Sequence, residues 1–62
     1  MNDIEKIRIL SRGLKAALRW PYTGEMLDHI KNPTLMEGHN YDPRYIADMR
    51  EIKAALAAAE GK

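Results

Sequence analysis

Sixty-two residues, 45% apolar and 31% charged, have the composition of a globular chain and the length of one small domain. Ten Lys and Arg against nine Asp and Glu give a formal net charge of +1, so whole-molecule electrostatics do not point to nucleic acid. The absence of cysteine excludes disulfides and thiolate metal sites, and no apolar run approaches the roughly 18–20 residues of a membrane span.

A chain this short buries only about 60% of the surface its unfolded form exposes, so small domains are commonly completed by a staple or a second subunit. With disulfides excluded, regular helix packing, oligomerisation or docking on a larger protein is expected to complete the core. Met1-Asn2-Asp3 lacks the basic start and apolar core of a signal peptide, and a cytoplasmic location is the expectation.

The first helix is predicted over about residues 3 to 19. Asn2 or Asp3 can cap it, and Glu5 stands where a capping box places its acid when Asn2 is the cap. Ile4, Ile7, Leu14 and Leu18 recur at helical spacing around Ser11, widened by Leu10 and Ala17, and form the expected core stripe. Pro21 disfavours helical backbone at Trp20 and should end this helix.

A short second helix is predicted over about residues 24 to 31, capped by Thr23, with Tyr22 stapled to Leu27 and with Met26, Leu27 and Ile30 inward. Asn32-Pro33 ends it. Residues 32 to 42 are rich in turn formers and read as a loop, pinned to the core by Leu35 and Met36. Asp42-Pro43 then combines a cap with proline at the first helical position, and Tyr41 with Ile46 is a second staple. The third helix should run from 43 to about 60, with Gly61 as its stop and Tyr45, Met49, Ile52, Leu56 and Ala59 as its core stripe. The expected fold is all-α, an antiparallel helical hairpin of two long helices with a short intervening helix, completed by dimerisation or partner docking.

Two more faces of the first helix bear on function. Ile9, Gly13, Ala16 and Trp20 lie at spacings of 4, 3 and 4 on a face apart from the main stripe. A glycine inside a helix costs about 1 kcal/mol relative to alanine, so Gly13 implies close packing against the backbone. This quartet is the expected partner or oligomer interface, with Trp20 as its aromatic anchor, the alternative being that the second helix and the 32–42 loop cover Ile9 and Trp20 within the monomer. Arg8, Arg12, Lys15 and Arg19 form a basic stripe, read either as a solvated face paired with Glu37, Asp48 or Glu51 or as a surface suited to phosphates or an acidic partner, with Asp48 and Glu51 expected at exposed positions of the third helix.

Catalytic chemistry has little support. His29 and His39 stand ten residues apart among Glu25, Asp28, Glu37 and Asp42, without metal-ligand spacing, and Ser11 has no base placed beside it. Neither a metal nor another cofactor is expected. Trp20-Pro21 with Met26 five residues on resembles small phage tail-assembly proteins over a single turn of chain, and no family residue can be carried over from it. The expected function is non-enzymatic: a protein-interaction module such as an inhibitor, adaptor or assembly factor, of the size phage and plasmid accessory genes encode. Its expected partners are a second copy, a larger protein, or both. The alternative is a small RNA- or nucleotide-binding dimer using the basic stripe.

Overall fold

The computed structural model describes residues 2–61. Its regular elements are α1 (Asp3–Arg19), α2 (Thr23–Lys31), a 3₁₀ turn (Pro33–Met36) and α3 (Pro43–Ala59), and no strand occurs among the described residues. No helix among them is long and apolar enough to cross a membrane.

Each helix end has a local cause. The Asn2 side chain accepts a hydrogen bond from the Glu5 amide at 2.8 Å, which satisfies one of the free N–H groups at the start of α1. Trp20 leaves the helix at φ −119° and ψ 140°, the extended conformation that a following proline imposes. Thr23 does not cap α2 as expected: it lies inside the helix, and Tyr22 takes the cap position without a side-chain bond. Its hydroxyl donates instead to the Ala17 carbonyl at 3.2 Å. That bond ties the bend back to the last turn of α1, whose carbonyls have no helical partner.

The 32–42 segment is more ordered in type than a loop, because Pro33 starts a 3₁₀ turn. Met36 packs on the core as expected, whereas Leu35 is 49% exposed. A four-residue 3₁₀ turn has one inward side, and Met36 occupies it.

Asp42 starts α3 by accepting from the Arg44 amide at 2.8 Å, and its carboxylate also receives the Arg44 guanidinium at 3.0 Å. The Arg44 side chain, then its amide, hold the Asp42 carboxyl below the ordinary value of 3.8. A depressed folded-state value means that this contribution is present above pH 3.8 and is lost as pH falls through the folded value. Asp42→Asn keeps an acceptor for the cap and removes the charge. It should flatten that part of the acid limb of a thermal-stability profile, and carboxyl titration by NMR checks the direction.

α1 packs on α3. Trp20 meets Asp48 and Tyr45, while Gly13 lies against Ala55 and the Glu51 carbonyl. The contacts therefore step back along α1 as they advance along α3. The buried core is Ala16, Met26, Tyr45 and Ile52, joined by half-buried Trp20, Leu27, Ile30, Met36, Tyr41, Ile46 and Met49. It gathers where the end of α1, α2 and the first half of α3 meet.

The faces of α1 are assigned the opposite way from the sequence expectation. Ile4, Ile7, Leu14 and Leu18, expected in the core, are 64%, 63%, 62% and 77% exposed. The quartet expected at a partner interface is turned toward α3: Gly13 and Ala16 are buried, and Ile9 and Trp20 are half-buried. The cause lies in α3. Spacings of 3, 4 and 3 put Asp48, Glu51, Ala55 and Ala58 on one of its faces, and three of these four have short side chains. Gly13 and Ala16 let the two backbones approach there, which large aliphatic side chains cannot do.

Along the expected stripe of α3, Tyr45 and Ile52 are buried and Met49 is half-buried, but Leu56 is 40% exposed and Ala59 is exposed. At nine residues α2 spans only about 14 Å, too short to cover the far half of a 17-residue helix.

Candidate interaction surface

Trp20 and Arg19 converge on one buried carboxylate. Asp48, expected at an exposed position, is 4% exposed. Its Oδ2 accepts from the Trp20 indole Nε1 at 2.7 Å and its Oδ1 from Arg19 Nη1 at 2.6 Å. Both hydrogen bonds are charge-assisted through the carboxylate, and they satisfy both oxygens of a group that would be costly to bury alone. The Trp20 ring also stands edge-on to Tyr45, with centroids 5.4 Å apart.

A second polar link crosses the core. His29 is 6% exposed, and its Nδ1 lies 2.8 Å from the Tyr45 hydroxyl. Glu25 Oε1 is 3.9 Å from His29 Nε2. A carboxylate, an imidazole and a hydroxyl in line resemble a proton relay, but the electrostatics oppose it. Burial first, then Glu25, Tyr41 and Tyr22, push the Tyr45 hydroxyl above its ordinary value of 10.0. The hydroxyl therefore keeps its proton and serves as a buried hydrogen-bond partner.

Tyr22, Tyr41 and Tyr45 extend this cluster, with ring centroids of neighbouring members 5.3 to 5.9 Å apart. At those separations the rings contact one another and leave no gap for a cation between them. The cleft over them holds about 200 Å³, and an apolar cleft between α2 and α3 beside Met36 and Met49 also holds about 200 Å³. Both fall below the roughly 300–1,000 Å³ of ordinary ligand sites. A wider opening of about 380 Å³ beside Arg19, Trp20 and Asp48 surrounds a carboxylate whose two oxygens are already in use. Among the described residues no group of three or more His, Cys, Asp or Glu is placed to hold a metal ion.

The basic stripe lies on the surface: Arg8, Arg12, Lys15 and Arg19 are all exposed. Arg19 is engaged by Asp48, and Arg12, Lys15 and Arg19 share a cleft with Asp48 and Glu51. An anion approaching there meets carboxylates beside the cations, so the phosphate-binding potential of the stripe is reduced.

The dominant surface feature is the apolar stripe of α1. Ile4, Ile7, Ser11, Leu14 and Leu18 recur at 3, 4, 3 and 4, and on a wheel of about 100° per residue they are centred roughly opposite the α3-facing quartet. The stripe therefore points away from α3. Arg8 and Lys15 flank it on one side, and Leu10 and Ala17 on the other. Four large aliphatic side chains more than 60% exposed on one face of a 62-residue chain form a contiguous apolar patch, and such patches mark sites of association.

Sequence reasoning found this stripe and assigned it to the interior. It missed Asp48 and His29 as buried groups. A signal for Asp48 was present: Arg19 and Trp20 bring two donors to the edge of the face that carries Gly13, and they require an acceptor from the facing helix. For His29 there was none, since its partner Tyr45 lies sixteen residues away on another helix. Compared with known proteins, the chain matches no family model, no curated protein and no solved structure.

Proposed function

We propose that this protein is a non-enzymatic interaction module in which α1 and α3 form an antiparallel hairpin that presents the Ile4, Ile7, Leu14 and Leu18 stripe to another protein. The observation that carries the reading is the 62–77% exposure of those four side chains on one face of a capped, regular helix. Covering each is worth about 1.5–3 kcal/mol, so the stripe as a whole can drive association. Its 3-4-3-4 spacing suits a helix as occupant, because a partner helix receives such side chains into holes of the same period. The reading moves the contact core to the opposite face from Ile9, Gly13, Ala16 and Trp20, which support the stripe from behind. Arg8, Arg12 and Lys15 then form a basic rim.

The test pairs two variants as baits. Ile7→Asn with Leu14→Asn should keep the helical circular-dichroism signal and shift the thermal midpoint little, since both side chains are largely exposed. It should lose the proteins that the wild type retains. Arg8→Glu with Arg12→Glu addresses the nucleic-acid alternative: loss of polyanion binding that also falls steeply with salt favours that reading. Retention of the same proteins by wild type and by the Asn pair overturns the proposed function.

A further inference from the structure

Resting on that use of the stripe, we propose that its occupant is a second copy of this chain, with the two α1 helices side by side and parallel. The heptad positions follow from the spacing. Ile4, Ser11 and Leu18 take position a, and Ile7 and Leu14 take position d. Ile9 and Ala16 fall at position f, the point farthest from the seam, which is where α3 lies. The hairpin therefore leaves the seam unobstructed.

Charge decides both the partner and its direction. Arg8 and Lys15 occupy position e, and Asp3, Leu10 and Ala17 occupy position g. In a parallel pair each g residue faces the e residue five positions on in the partner. Asp3 then meets the partner's Arg8, twice by symmetry. Leu10 meets the partner's Lys15, whose aliphatic stem can cover it while the ammonium stays in water. In an antiparallel pair e faces e along one flank and g faces g along the other, which sets Arg8 against the partner's Lys15 twice on the first flank and leaves Asp3 with no cation to meet on the second. The parallel arrangement is attractive and the antiparallel one repulsive. Asp3 and Arg8 are exposed, and neither is engaged in an ion pair among the described residues.

Two further features fit a paired helix. α1 is already capped and packed on α3, so association need not meet the cost of ordering it. Ser11, small and polar at the central a position, brings the two copies into register at that layer and limits affinity, as polar residues at a do. A lipid surface suits the pattern less well: interfacial helices present a broad apolar face rich in Trp and Phe, whereas this seam is narrow and has a hydroxyl at its middle.

Sedimentation equilibrium on the full chain at low salt tests the proposal. The wild type should shift from 7.1 kDa toward twice that mass across micromolar concentrations. Arg8→Glu puts a carboxylate opposite Asp3 in both pairs and should weaken the dimer roughly tenfold, an effect that shrinks in salt. Asp3→Lys combined with Arg8→Glu should restore it. Circular dichroism of each variant confirms that helix content is retained, and Arg8→Glu alone provides the sign if the double variant folds poorly. Tightening by Arg8→Glu is the antiparallel result and overturns the proposed direction. A wild type that stays at 7.1 kDa up to about 1 mM overturns the dimer, and so does stripe-dependent binding to anionic phospholipid vesicles by a monomer. Retention of other proteins by that monomer through Ile7 and Leu14 would leave the interaction module intact. Loss of both kinds of association overturns the two together.

Discussion

Gly13→Leu should unfold the protein at room temperature, and Gly13→Ala should destabilise it even though alanine is the better helix former. A Cβ built at Gly13 would stand 2.3 Å from the Ala55 Cβ and 3.1 Å from the Glu51 carbonyl oxygen. Neither neighbour is the end of a flexible side chain, so the two helices must separate. Replacing glycine by alanine in a helix interior gains about 1 kcal/mol of propensity. Overpacking of a close contact costs about 1–3 kcal/mol, and separation also weakens the Trp20–Asp48 bond next along the seam. The balance for Gly13→Ala is a net loss of roughly 1–2 kcal/mol. For a 62-residue domain whose total stability is about 3–9 kcal/mol, the leucine side chain exceeds what the seam can absorb. Chemical denaturation followed by far-ultraviolet circular dichroism measures both. The double variant Gly13→Ala with Ala55→Gly exchanges the two partners and should recover most of the Gly13→Ala loss. No recovery would show that the cost lies elsewhere than in this contact.

That contact explains how the interior and exterior of α1 were exchanged in the sequence reading. Helix boundaries were legible because their causes are local: Asn2 caps by its own side chain, Pro21 acts on Trp20, and Asp42-Pro43 sets the start of α3. Face assignment is not local. Ranking faces by apolar bulk favours Ile4, Ile7, Leu14 and Leu18 over Ile9, Gly13, Ala16 and Trp20. The folded chain favours the second set because α3 brings an alanine-rich face, and two small faces gain from close backbone approach what they lack in side-chain area. Gly13 was the correct clue to close packing, but nothing in α1 itself identifies the helix that approaches. The aromatic and histidine contacts among Tyr22, His29, Tyr41 and Tyr45 cross between segments and have no periodicity to reveal them.

The same exchange gives the candidate surface its form. A core built on Met26, Tyr45 and Ile52 at one end needs little from α1 beyond Ala16, Ala17 and Trp20. The N-terminal two-thirds of α1 is held mainly by its small-residue seam with α3 and by its own cap. Its large aliphatic side chains are thus available outside without being required inside, so polar substitutions there should leave the fold in place. Substitutions on the α3 side should act on the fold and on the surface together.

Asp48→Ala should be among the most damaging single changes of a polar side chain, at about 2–4 kcal/mol. Removing the carboxylate leaves the Trp20 indole N–H without its partner at the edge of the core and releases Arg19. The two bonds do not contribute equally. The Arg19 side chain is 60% exposed, so water and salt screen its attraction and its share is at the low end for ion pairs. The indole bond is the larger, since a neutral donor facing a carboxylate is worth about 1.5–3 kcal/mol and Trp20 gains little hydration where it sits. Asp48→Asn therefore separates the contributions: it retains an acceptor for the indole, loses the charge, and should cost about half as much. Arg19→Gln should cost less again in 0.5 M salt than in dilute buffer, and the Asp48→Ala cost should fall by that same small share while the indole share remains. The fluorescence of Trp20, the single tryptophan, reports each unfolding curve directly, and its native emission should shift to the red in Asp48→Ala as the ring loosens from Tyr45. Equal losses for Asp48→Ala and Arg19→Gln would instead place the energy in the ion pair and assign the indole contact to packing alone.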